Sequence, residues 1–480
     1  MCKDSFICAL DMKSFARRCK FFMRRPRCIL CESQYKDGLI LTAEVSMSHK
    51  FDTLAVHAGY TPEPTTGARQ VPIYATASFM FEGAEDAADK FALKKFGNIY
   101  SRLTNPTNAV LESRLAALEG GVGATVTASG HAAQLLVFQA LLRPGDRFVA
   151  SKRLYGGTTD QFNNTFPTSF GWHADTVDVD DLAAVKAAIT SSTRLIFVES
   201  LANPGGVISD LEGLAAIAKE AGIPLVVDNT MASPYLCRPL AWGAHIVVHS
   251  TTKFLTGNGT AMGGAIIDGG TFDWKAHATK YPELAQPHPS YNGMNFVENF
   301  GAMALTVHNH AIGLRALGPT QSPFHSFLTL NGIETLGLRM QRHVSNSQAV
   351  AEWLEQHAAV AWVSYAGLPS STYFERAKKY LPHGAGSVFT FGIKGGFEAA
   401  KQFVDQLKLF SMLANIGDTR SLVIHPSSTT HSQLTEAQKK ATGVLPEAIR
   451  LSIGIEDIHD ILADLEQALA SIRTSQRKVS

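Results

Sequence analysis

Between Gly120 and Ile267, short apolar runs alternate with stretches of helical spacing. The segments ATVTAS (124–129), RFVAS (147–151), RLIFVES (194–200), PLVVDNT (224–230) and HIVVHS (245–250) are mostly apolar and often β-branched, which predicts strands. Between them, HAAQLLVFQALL (131–142), DLAAVKAAI (181–189) and LEGLAAIAKEA (211–221) carry apolar residues at helical intervals. Strands without a polar face, joined by helices, predict a mostly parallel sheet covered on both sides. Ligands of such sheets bind in the loops beyond the C-terminal strand ends. Those ends are therefore where chemistry is expected.

The rhythm is absent on either side. In 48–118, GARQVPIYATASF and NIYSRLTNPTNAVLESRLAALEG read as an irregular arm leading into a helix. From about Gly313 the pattern changes again. Helical spacing begins near Ile333, and SVFTFGIKG (387–395) and RLSIGIE (450–456) read as strands. A last helix, Asp457 to Ile472, puts Ile458, Ile461, Leu462, Leu465, Leu469 and Ile472 on one face. The expected division is an N-terminal extension over 1–46, an arm over 47–112, a large ligand-binding domain over 113–312 and an α+β domain over 313–480.

A chain of 480 residues suits two or three domains. Its 45% hydrophobic and 18% charged residues fit a soluble globular protein. A net charge of +1 offers no electrostatic case for nucleic acid or a membrane surface. No apolar run approaches the ~18–20 residues that span a bilayer. Cys2, Cys8, Cys19, Cys28 and Cys31 crowd the first 31 residues, leaving Cys237 alone in the body, which reads as reduced and cytoplasmic. Cys28 and Cys31 form one C-x-x-C without a second pair, short of a zinc site. The basic stretch MKSFARRCKFFMRRPRC resembles a transit peptide, but the preferred reading is a disordered tail or an upstream start before Met47.

Chemistry gathers at three strand ends. HSTTK places Lys253 just beyond a buried strand, where an ammonium is costly unless paired or neutralised. VVDNT ends a strand in Asp228. TASGHAA ends a strand at Ser129-Gly130 and opens a helix at His131, whose backbone N–H groups make an anion site. The hydroxyls of Ser250 and Thr252 also suit phosphate. Lysine, carboxylate and phosphate cradle together match the needs of pyridoxal 5'-phosphate: an amine for its aldehyde, donors for its phosphate, and an acid partner for its ring nitrogen. A dinucleotide-binding fingerprint fails, because GGVGATV has Val126 where a third glycine belongs and precedes its strand.

The ordered motifs YSRLTNPT, ASGHAA, YGGT, ESLANP, VVDNT, HSTTKFLTGNG, IHPSSTTH and RLSIGIE, spread over about residues 50–475, resemble the Cys/Met-metabolism family of pyridoxal-phosphate enzymes. The resemblance implies an α/β chain of the aspartate-aminotransferase-like fold type I, with a mixed, mostly parallel sheet and a smaller C-terminal α+β domain. It implies that Lys253 carries the cofactor and later moves protons, and that Asp228 partners the ring nitrogen. Gly130, His131 (methionine in many relatives), Ser250 and Thr252 would bind phosphate. Tyr155, counted with Lys253 as catalytic, would stack on the ring, and Asn203 would lie near its phenolic oxygen. Arg450 would clamp the substrate carboxylate. Tyr100 and Arg102 would reach the phosphate of a neighbouring subunit, making a dimer obligatory and a tetramer expected.

Within the family, the long segment around HPSYNGMNF (about 273–300) resembles an insertion of the O-acetylhomoserine sulfhydrylase branch. Asn415, in LANIGD, stands where many lyases carry serine and is expected to line the substrate site. The implied reaction is γ-replacement on O-acetyl-L-homoserine by sulfide or methanethiol; cystathionine γ-synthase and methionine γ-lyase are the alternatives. Pro426 and their wide spacing argue against His425 and His431 as metal ligands, so no metal is expected.

Overall fold

The structure is a computed structural model, and it describes residues 49–203, 206–429 and 445–479. The expectations for 1–46 and for His431 fall outside the described residues. The larger sheet contains β1 (Gly123–Thr127), β2 (Arg147–Ser151), β3 (His173–Val177), β4 (Thr193–Glu199), β5 (Leu225–Asp228), β6 (Ile246–His249) and β7 (Gly264–Asp268). Their order is β1-β7-β6-β5-β4-β2-β3. The run from β3 to β6 is parallel, and β7 is antiparallel to both of its neighbours.

Alternate residues of these strands enter different cores, as a period of two requires. Val149, Ile196, Val198, Val227 and Val247 join one cluster, while Phe148, Ala150, Phe197, Val226, Ile246 and Val248 join the other. The helix Gly130–Leu141 covers the second face with Leu136, Val137 and Phe138. There Phe138 meets Phe148 at 4.7 Å and Phe166 at 4.9 Å between ring centres. The absence of a polar face in these strands thus has its cause in burial on both sides.

A second sheet contains β8 (Val360–Ser364), β9 (Val388–Ile393), β10 (Ser411–Met412), β11 (Leu422–Ile424) and β12 (Ala448–Ser452), in the order β10-β11-β12-β9-β8. All its pairings are antiparallel except β10 with β11. The terminal helix Ile458–Val479 buries Ile461, Leu465, Leu469 and Ile472, as its spacing predicts. One continuous apolar cluster joins this sheet to the inner face of the larger one.

Several boundaries differ from expectation for local reasons. The first strand stops at Thr127, because Ser129 leaves it to cap the next helix, accepting the Ala132 N–H at 3.2 Å. The helical spacing near Ile333 belongs to two helices, Pro323–Glu334 and Leu336–Gln356. At their junction Arg339 donates to the Gly332 carbonyl at 2.7 Å, occupying an acceptor that a continuous helix would use. Strand β3 escaped notice because it is an edge strand with polar, part-exposed residues.

A buried polar network lies under the ends of β5 and β6. Glu119 Oε1 meets His249 Nε2 at 2.6 Å and accepts Asn229 Nδ2 at 2.8 Å. Asn229 Oδ1 in turn accepts the Ser200 hydroxyl at 2.7 Å. Glu119→Ala leaves two buried donors unpaired and is expected to cost about 3–5 kcal/mol. Chemical denaturation checks this; a loss below about 1 kcal/mol would show the network to be dispensable.

Candidate active site

Strands β4, β5 and β6 end together. Glu199 pairs in register with Asp228, and Asp228 with Val248. The loops that follow carry Asn203, Thr230 and Ser250, and Lys253 lies three residues beyond Ser250. The Ser250 N–H donates to Thr230 Oγ1 at 2.8 Å, joining two of the loops.

Asp228 has both oxygens engaged: Oδ1 accepts the Thr230 N–H at 2.9 Å and Oδ2 accepts Gln134 Nε2 at 3.3 Å. Neither donor is a cation, so no ion pair among these contacts occupies Asp228.

Lys253 donates from Nζ to Asn415 Oδ1 at 2.5 Å, and no carboxylate among the described residues pairs with it. Burial first, and the Arg450 charge second, push its ammonium down to about 8. Arg450 is also without an acid partner among the described residues. Its Nη1 donates to Asn203 Oδ1 at 3.3 Å and its Nη2 to the Asn415 carbonyl at 3.2 Å. Burial pulls this guanidinium down to about 10. Two cations withdrawn from water, with neutral partners, make a site that favours anions.

The turn that holds Lys253 is tightly fixed. Arg339 Nη1 takes the Phe254 carbonyl at 2.8 Å, and the Gly257 N–H donates to the Lys253 carbonyl at 2.8 Å. Gly257 has φ +83°, and a Cβ there would lie 2.2 Å from Arg339 Nη1. The glycines after Lys253 thus have a steric cause that their spacing alone did not show.

The helix start at Gly130 fits a phosphate. The N–H groups of Gly130 and His131 find no acceptor among the described residues. A Cβ on Gly130 would stand 2.9 Å from Ser250 Cβ, so glycine is what lets the two loops close into one cradle. Thr252 faces the other way: its hydroxyl donates to the Gly263 carbonyl at 3.3 Å and accepts the Gly263 N–H at 3.1 Å. The His131 ring lies near-parallel to Tyr155, 5.9 Å between centres, and Tyr155 is half exposed. Tyr100 and Arg102 sit apart on the arm, where the guanidinium lies over the tyrosine ring at 5.2 Å. Both are exposed, and neither bonds to the residues around Lys253.

Glu199 was missed in the sequence, although it is a carboxylate ending an apolar strand, the same signal that marked Asp228. Its Oε1 accepts the Tyr155 N–H at 2.6 Å and its Oε2 accepts the Asn203 N–H at 3.0 Å. Burial, and then the charge of Asp228, push its carboxyl up to about 8 against the pull of those two bonds. Gln134, Thr230 and Arg339 were also missed, because their partners are distant in sequence.

A separate cluster, Glu283, His288 and His308, brings potential metal-ligand atoms within 4.8 Å of one another. The Ser290 N–H donates to His288 Nδ1 at 3.2 Å, so His288 Nε2 carries the proton it shares with Glu283 at 3.1 Å. Arg143 holds the other Glu283 oxygen at 2.9 Å. A metal bound to His288 Nε2 would have to displace the proton that it shares with Glu283. His425 is likewise engaged, its Nε2 meeting the Pro446 carbonyl at 2.7 Å and its Nδ1 the Ser428 hydroxyl at 2.9 Å.

A pyridoxal-phosphate enzyme of fold type I is the class that this architecture defines. Residues 52–470 match the family described as Cys/Met metabolism PLP-dependent enzyme, and the chain belongs to that family. It is 50% identical over 423 residues to O-acetyl-L-homoserine sulfhydrylase 1 of Thermus thermophilus, covering 88% of this chain and 100% of that one. It is 48% identical to an O-acetyl-L-homoserine sulfhydrylase of Leptospira meyeri, over 89% of this chain and 98% of the relative. Among solved structures it resembles a putative O-acetylhomoserine (thiol)-lyase of Campylobacter jejuni with a TM-score of 0.85 and 39% identity, covering 88% of this chain and 100% of that one. That crystal structure contains N'-pyridoxyl-lysine-5'-monophosphate. No helix among the described residues is long and apolar enough to cross a membrane.

The lowered Lys253 value sets a pH dependence. Only the uncharged amine is a nucleophile, and its fraction rises as pH rises through about 8. The rate at which cofactor-free protein captures added pyridoxal 5'-phosphate, read by absorption, is expected to rise with a midpoint at about pH 8 before levelling off. Arg450→Met removes a neighbouring positive charge and should move that midpoint upward. A wild-type midpoint at the ordinary lysine value, about 10.4, would contradict the burial argument.

Proposed function

We propose that this chain catalyses γ-replacement on O-acetyl-L-homoserine, with sulfide or methanethiol as the nucleophile, giving homocysteine or methionine and acetate. The observation that carries the reading is the pair Lys253 and Arg450, two part-buried cations joined through Asn415. The curated relatives named for acetylhomoserine sulfhydrylation support this substrate.

When bound, pyridoxal 5'-phosphate supplies an aldehyde that joins an amine and a protonated ring that draws electrons from the substrate carbons. Asp228 would hold the proton on the ring nitrogen. The N–H groups of Gly130 and His131, with the Ser250 hydroxyl, bind phosphate; Thr252 joins them only by turning its hydrogen from the Gly263 carbonyl. Tyr155 would cover one ring face, and Asn203 would hold the ring edge. Arg450 offers its fork to the substrate carboxylate. Lys253 would take the proton from Cα and return it there once the new C–S bond is made, and Asn415 would hold its ε-amine within reach. Acetate leaves Cγ with the bonding pair of its C–O bond, and the thiol sulfur contributes the pair of the new C–S bond.

Tyr100 and Arg102 fit this scheme as residues supplied to the phosphate of a neighbouring subunit, so we read the dimer as the working unit and the tetramer as its assembly. The buried free thiol of Cys237 suits a cytoplasmic setting.

The test is an assay of the purified protein on O-acetyl-L-homoserine with sulfide, beside cystathionine and methionine supplied alone. Homocysteine and acetate are expected in equal amounts. Lys253→Ala should lose at least about 10²-fold in kcat, the scale of a positioned proton-transfer group. Robust cleavage of methionine without the acetylhomoserine reaction would overturn the reading in favour of a γ-lyase.

A further inference from the structure

The Glu199 carboxylate touches neither cation of the site. It spans two loops. One oxygen holds the N–H of Tyr155 at 2.6 Å, at the start of the loop after β2; the other holds the N–H of Asn203 at 3.0 Å, in the loop after β4. Glu199 is buried and stands beside Asp228 in the strand register. Asn203 continues the line through its side-chain oxygen to Arg450 Nη1 at 3.3 Å. Thus one carboxylate spaces the group that covers the ring face from the group at the ring edge, and through Asn203 bears on the substrate clamp.

Glu199 meets no cation among the described residues and is buried from water, so the N–H groups of the two loops are what satisfy its oxygens. A neutral side chain of the same shape cannot replace it. Glutamine has one acceptor oxygen, and its NH₂ would confront the second backbone donor. We infer that Glu199 is a positioning residue that sets the separation of Tyr155 and Asn203 across the cofactor site. This rests on the function proposed above.

The experiment compares wild type with Glu199→Gln in cofactor dissociation, read from the visible absorption band, and in KM and kcat for O-acetyl-L-homoserine. Cofactor binding is expected to weaken about tenfold or more, the scale for setting a buried amide N–H against a backbone N–H that loses its acceptor. KM should rise as Arg450 loses its alignment, and the loss should shrink in an Asn203→Ala background, because coupled residues are not additive. Unchanged cofactor affinity and unchanged KM would overturn the inference. If Glu199→Gln does not fold, Glu199→Asp and backbone amide exchange of the wild-type protein decide. The shortened acid should weaken cofactor binding, and the amides of Tyr155 and Asn203 should be protected together. Rapid exchange of either amide, or full cofactor affinity in Glu199→Asp, would overturn it. Wild-type protein that holds no cofactor would contradict the proposed function instead, while the exchange measurement still reports on the clamp.

Discussion

The register of three adjacent parallel strands controls the site. Glu199, Asp228 and Val248 stand side by side, so the loops after β4, β5 and β6 leave the sheet at one level. A slip of one residue would turn both carboxylates to the opposite face. What prevents it is the strict alternation beneath: Leu195 and Phe197 pack to one side, Ile196 and Val198 to the other, and β5 and β6 follow the same division. Apolar packing on two faces thus fixes where charge can be placed at the sheet's end.

The charges placed there are uncompensated in a particular way. Asp228 is bonded to an amide side chain and a backbone N–H, while Lys253 and Arg450 are bonded to Asn415 and Asn203. These contacts orient the groups without neutralising them. In the proposed reaction Asp228 would meet a protonated ring nitrogen and Arg450 a substrate carboxylate. Lys253 is held differently, because burial beside Arg450 favours its uncharged form, the form that reacts with an aldehyde. The Arg339 contacts to the Phe254 and Gly332 carbonyls keep the Lys253 turn rigid.

The larger sheet was legible in the sequence because strands buried on both faces leave an unbroken apolar signature. RFVAS coincides with its strand, RLIFVES is offset from its strand by one residue, and PLVVDNT overruns its strand only by Pro224, Asn229 and Thr230. Strands β3, β8, β10 and β11 carried weaker signals, since they are short, part-exposed or at an edge. Lys253, Asp228, Gly130 and Arg450 could be picked out from strand ends and ordered motifs. The links Glu199 to Tyr155 and Arg339 to Phe254 could not, because 44 and 85 residues separate the partners and no local spacing records them. The Thr252 hydroxyl shows the opposite limit: its residue type suits phosphate, yet its hydrogen lies toward Gly263.

The central claim is that the covalent chemistry of this chain resides on Lys253. Borohydride fixation of the bound cofactor, followed by peptide mapping, tests it most directly. The account predicts a single pyridoxyl-modified peptide containing HSTTKFLTGNG, with the modification on Lys253. Modification of a different lysine, or of none in protein that has taken up the cofactor, would contradict it.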